Sequence, residues 1–119
     1  MATQQSPRIE NNVIKWYEGD VFYLSFDFIN ENTNAPIELI EGDSFEIDFF
    51  NGCRLIKTIK ITEKTNGLYL CYIDERTTRL FTVGEYSYTV QYIRNNGELK
   101  QTIENCGKCI VEGVCKCRT

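Results

Sequence analysis

The sequence predicts an all-β fold: an antiparallel sandwich built from roughly seven to eight short strands. Three features carry that prediction. Apolar residues recur at every second position through most of the chain, as in Phe22, Leu24, Phe26 and Phe28. Turn-forming clusters such as Asn51-Gly52 and Asn95-Asn96-Gly97 return about every ten residues. No stretch carries a long stripe of period 3.6, so helices and a helix-covered parallel sheet are not expected. A small barrel is the competing all-β answer.

The elements follow in order. Residues 1–12 are polar and without periodicity, and read as a flexible N-terminal arm. Alternation begins at Val13. Residues 21–28 form a half-buried strand, with Ser25 and Asp27 opposite its phenylalanines. A polar cluster at 30–34 turns the chain, Pro36 opens a short segment, and Glu41-Gly42-Asp43 turns it again. Phe45, Ile47 and Phe49 then alternate with Glu46 and Asp48, and after Asn51-Gly52 the next strand spans 54–61. Beyond Asn66-Gly67, Leu68, Leu70 and Tyr72 alternate with Tyr69, Cys71 and Ile73. Residues 74–80 break the pattern and suit one helical turn capped by Asp74. Tyr86, Tyr88, Val90 and Tyr92 alternate with Ser87, Thr89 and Gln91, and segments 99–103 and 108–111 complete the strands.

Gly84 permits a sharp entry into its strand. Tyr86, two residues later, can fold back and bond its hydroxyl to the preceding connection, the tyrosine corner of sandwiches. Both are read as structural residues. Glu18-Gly19-Asp20-Val21-Phe22 echoes Glu41-Gly42-Asp43-Ser44-Phe45. Two similar turns account for the echo. A calcium site on Asp20 and Asp43 would need six to eight oxygens, and the spacing does not supply them.

The chain has 119 residues, 42% of them hydrophobic and 25% charged, which suits one globular domain. It has no histidine, which excludes His-based catalysis and imidazole-dependent zinc sites. Net charge is −4, so a generic nucleic-acid binder is disfavoured. Residues 1–50 hold ten acids and two bases, a net −8, and residues 51–119 hold seven acids and eleven bases, a net +4. A solvated scatter explains this, as does a two-signed surface made for neighbours. No apolar run is long enough to span a membrane, and the polar start lacks a signal core, so synthesis in the cytoplasm is expected. No phosphate loop, HExxH or GxSxG occurs, and no enzymatic activity is expected.

Three segments line up in order. The first is Glu18-Gly19-Asp20 with its apolar strand, followed by Pro36-Ile37-Glu38-Leu39. The second is the 66–73 strand, then Leu80-Phe81-Thr82-Val83-Gly84-Glu85-Tyr86-Ser87-Tyr88. The third is Asn96-Gly97, then Thr102-Ile103, then Gly107-Lys108-Cys109-Ile110-Val111. Together they resemble the immunoglobulin-like domain of phage virion proteins, notably the one at the N-terminus of baseplate upper proteins. The resemblance spans residues 13–112. Glu38 stands where that family often has Asp, and no fibre or receptor-binding domain follows the sandwich before Thr119. The resemblance therefore implies an immunoglobulin-like sandwich serving as a structural accessory protein of a phage particle, made in the host cytoplasm. Its partners would be other virion proteins of capsid or tail, in multiple copies, with neither nucleic acid nor membrane.

Six cysteines remain to be read. Cys53 and Cys71 are expected to be buried or half-buried thiols. Cys106, Cys109, Cys115 and Cys117 crowd the C-terminal end, the last two on a tail of residues 113–119. Four thiolates within twelve residues suit tetrahedral zinc, although the C-x-C pair is tighter than usual. Disulfides formed outside the cell, or free thiols, are the alternatives. Two other functions stay open: an adhesion or carbohydrate-binding module, with Tyr23, Tyr69 and Tyr92 as a platform, and a small zinc-binding regulatory protein.

Overall fold

A computed structural model describes residues 8–10, 13–26, 29–30 and 35–114, with side chains for 13–26, 35–103 and 107–114. The fold is all-β. Its strands are β1 (Arg8–Glu10), β2 (Val13–Tyr17), β3 (Phe22–Phe26), β4 (Ile29–Asn30), β5 (Ala35–Pro36), β6 (Ser44–Asn51), β7 (Arg54–Ile61), β8 (Tyr69–Ile73), β9 (Gly84–Arg94) and β10 (Leu99–Glu112). A single helical turn, α1 (Glu75–Thr78), joins β8 to β9. A six-stranded sheet runs in the order β1-β2-β10-β9-β6-β7, β3 pairs with β8, and β4 pairs with β5.

The alternation explains which face is buried. On the large sheet Ile14 and Trp16, Phe45, Ile47 and Phe49, Tyr86, Tyr88 and Val90, and Cys109 and Val111 all point inward. From the smaller sheet Phe22 and Leu24 meet them, with Tyr69, Cys71 and Ile73. Rings interlock across the gap: Trp16 lies 5.2 Å from Phe22, and Phe45 meets Tyr69 edge-on at 5.2 Å. Edge-to-face pairs of this kind add about 0.5–1.5 kcal/mol each beyond their buried area.

The turns are set by residues that tolerate positive φ. Asn66 (53°) and Gly67 (81°) make a two-residue turn closed by paired backbone bonds between Thr65 and Leu68. The two acid-Gly-acid segments form matching turns. Gly19 and Gly42 adopt φ of 89° and 92°, and the amides of Asp20 and Asp43 donate back to Tyr17 and Ile40. These are type II turns, which need positive φ at their third residue. At the entry to α1, Asp74 caps the helix by accepting from the Thr77 amide at 2.8 Å.

Three features differ from the sequence reading. The purely antiparallel pattern is broken where β2 runs parallel to β10, with Ile14 opposite Cys109 and Trp16 opposite Val111. Within the expected arm, Arg8–Glu10 forms β1 and pairs with β2, because extended backbone next to an open edge gains ladder hydrogen bonds. Segments 99–103 and 108–111 are one strand. In β10, Leu99 to Val111 pair with Arg94 to Gly84, and register shifts near Glu104 absorb the extra residues as bulges.

Candidate functional site

Gly84 adopts φ 152°, beyond the ordinary range of an L-residue, and starts β9 directly after the 79–83 connection. Tyr86 is 7% exposed. Its hydroxyl accepts from the Thr82 amide at 2.9 Å and donates to the Thr82 carbonyl at 3.0 Å. Its ring stands edge-on to Phe81 at 4.9 Å, and Phe81 in turn meets Trp16 and Phe49. Tyr86 therefore pins a loop end to the aromatic centre of the core. Phe81 holds this cluster together and was missed in the sequence, because it lies in an irregular connection with no alternating neighbours.

The cysteines separate by environment. Cys53 is exposed, against expectation, because it occupies the tip of the β6–β7 hairpin, whose closing pair is Asn51 and Arg54. Cys71 and Cys109 are both fully buried. Burial pushes the Cys71 thiol up to about 12. The Cys109 thiol also rises to about 12, through burial first and then the nearby Cys71. Cys106 belongs by backbone to β10 together with Cys109, not to the tail. The Cys106 side chain, and all of Cys115 and Cys117, lie outside the described residues. Among the described residues no group of three or more Cys, Asp or Glu is placed to hold a metal. Asp20 and Asp43 sit at opposite ends of the large sheet, since the Glu18 amide bonds Glu112 while Gly42 bonds the Asn96 amide. Asp43 is buried and accepts from the Asn95 amide at 3.3 Å, so it serves the hairpin.

The three platform tyrosines do not share a surface. Tyr69 is in the core, its hydroxyl accepting from the Leu39 amide at 2.8 Å. Tyr92 is half-buried against Phe45, and burial followed by the Asp43 charge raises its pKa. Tyr23 is exposed, but its companion is Tyr72, its cross-strand partner on β8. The two rings stack at 4.5 Å with 20° between planes. Strand pairing predicts such a contact only once the register is known.

Two further surfaces are open. A cleft of about 630 Å³ lies where the 40–43 turn meets the 95–97 turn, bordered by Glu41, Asp43, Glu46, Lys60 and Lys100. β7 ends the large sheet and carries Arg54, Lys57 and Lys60, with Leu55 exposed. Some of the charge division is met inside the molecule: Glu38 and Lys64 pair at 2.8 Å, and Glu46 faces Lys60 across the β6–β7 ladder. No helix among the described residues is long and apolar enough to cross a membrane. No known protein family, no curated protein and no solved structure matches the chain.

Proposed function

We propose that this chain is a non-enzymatic structural accessory protein of a phage particle. It would decorate the capsid or join tail and baseplate components as an immunoglobulin-like sandwich present in many copies. The observation that carries the reading is the strand order. β10, β9, β6 and β7 lie side by side, β2 runs parallel to β10, and β3 and β8 pack across the core. That order suits a variable-type immunoglobulin sandwich, and the Tyr86 corner at the start of β9 supports the same reading. The virion role itself rests on the three-segment resemblance. Docking by an edge suits it: among the described residues β7 ends the large sheet, and it carries three cations, which attract an acidic neighbour and discourage unspecific pairing.

A second reading, an adhesion or carbohydrate-binding module, is favoured by the exposed Tyr23–Tyr72 stack. Co-sedimentation separates the two. The intact chain should pellet with particles that lack their own copy, and raised salt should weaken this only in part. Chains without residues 1–12 or 113–119 should stay folded and bind less. If the intact chain pellets with neither heads nor tails, the structural reading fails. Glycan binding lost in Tyr72→Ala would then establish the second.

A further inference from the structure

In the register of the small sheet, Phe22 pairs with Ile73, Tyr23 with Tyr72 and Leu24 with Cys71. Side chains alternate along a strand, so the burial of Phe22, Leu24, Cys71 and Ile73 sends Tyr23 and Tyr72 to the opposite face. There they stand directly across from each other, and their rings stack at 4.5 Å between centroids with 20° between planes. Tyr23 is 56% exposed and Tyr72 45%, so small solutes reach both rings. The next pair on that face, Ser25 and Leu70, brings no group that competes for oxidation. The other tyrosines are placed differently. Tyr69, Tyr86 and Tyr88 are buried and Tyr92 is half-buried. Tyr17 is exposed, but its ladder partner is Glu112 rather than a second ring. The single tryptophan, Trp16, is buried.

We propose that Tyr23 and Tyr72 are an oxidative cross-linking site that closes to a dityrosine staple between β3 and β8. The oxidant is hydrogen peroxide, acting through a haem peroxidase that takes one electron at a time. Each tyrosine gives up one electron and its phenolic proton and becomes a phenoxyl radical, whose unpaired electron is shared with the ring carbons ortho to the oxygen. One ortho carbon of each ring then joins the other in a carbon–carbon bond. The hydrogen on each joined carbon leaves as a proton, and each oxygen takes one up, so both phenols are restored. The two electrons and two protons given up at the start reduce one peroxide to two waters. Bonding requires the ring edges to turn toward each other, and exposed side chains reorient within picoseconds to nanoseconds. Among the described residues β3 and β8 form a sheet of two strands, which is marginal by itself, so a staple acts where ladder bonding is thinnest. The link closes a loop of about 50 residues and restrains the unfolded chain, as a disulfide does. This inference holds whatever particle or partner the protein serves.

The test treats the full chain, with its accessible thiols alkylated beforehand so that they do not quench radicals, with a haem peroxidase and limiting hydrogen peroxide. The monomeric product is separated, digested and mapped by mass spectrometry, and dityrosine fluorescence is followed in parallel. The expected result is a monomer lighter by two hydrogen atoms, with a linked Tyr23–Tyr72 peptide as the main product. Its yield should not depend on protein concentration, whereas any coupling through Tyr17 joins two chains and should rise with it. Tyr23→Phe and Tyr72→Phe should each abolish the monomer's link, and Tyr17→Phe should leave it intact. The linked monomer should melt about 5–10 °C higher than the untreated chain. If the monomer keeps all its hydrogens, if coupling occurs only between chains or at other tyrosines, or if the linked monomer melts no higher, the proposal is overturned. The peptide map of the native sequence decides the site even if a phenylalanine variant does not fold.

Discussion

Tyr86→Phe removes one oxygen and keeps the ring. In the folded protein that oxygen holds both backbone groups of Thr82, accepting at 2.9 Å and donating at 3.0 Å. The aromatic packing on Phe81 is preserved, so no cavity opens. A net hydrogen bond is worth about 0.5–1.5 kcal/mol, and leaving partners unpaired adds to the cost. Thr82 is itself exposed, so water recovers part of the loss. The expected destabilisation is about 1–2 kcal/mol. With a urea slope of about 1–3 kcal/mol/M, the midpoint falls by roughly 0.5–1 M. Equilibrium urea unfolding followed by fluorescence measures this, with Tyr72→Phe as the comparison, because that hydroxyl lies on an exposed ring. An unchanged midpoint and slope in Tyr86→Phe would show that the corner carries no stability, and the reasoning would be refuted.

Two further perturbations follow from single contacts. A Cβ on Gly107 would clash with the Tyr88 ring, so Gly107→Ala should cost about 1–3 kcal/mol in the same unfolding assay; a neutral effect would mean that the ring moves freely. The Asp74 carboxyl is held below the usual carboxylate range, by the Thr77 amide first and by the Thr77 hydroxyl next. Its folded pKa lies below its unfolded one, so its contribution is complete above about pH 4 and disappears as pH falls through the folded value. Asp74→Asn cannot titrate, so the stability gap between it and the native chain should close between neutral and strongly acid pH. A gap of constant size would contradict the capping role.

Strands β3, β6, β8 and the first part of β9 were legible because each carries a two-residue alternation, and the turns between them because Asn-Gly and acid-Gly-acid segments admit positive φ; β4 and β5, two residues each, are too short to show a period. The C-terminal third was less so. Two register shifts in β10 each reset the alternation, so one strand reads as two segments and the inward position of Cys109 is hidden. The C-x2-C spacing therefore pointed to one four-thiol unit, whereas strand pairing turns Cys109 into the core. The parallel contact of β2 with β10 joins residues about a hundred positions apart, and no local pattern encodes it. Tyr69 and Tyr23 have equal chemistry in the sequence. Only the facing of β8 and β3 decides that one is core and the other surface.

The central proposal is that this all-β chain is a component of a phage particle. Quantitative mass spectrometry of purified, salt-washed particles from cells that express the chain tests it most directly. The account predicts peptides of this polypeptide at many copies per particle, retained through density-gradient banding. Intact particles that band without it, while the chain stays in the soluble fraction, would contradict the claim.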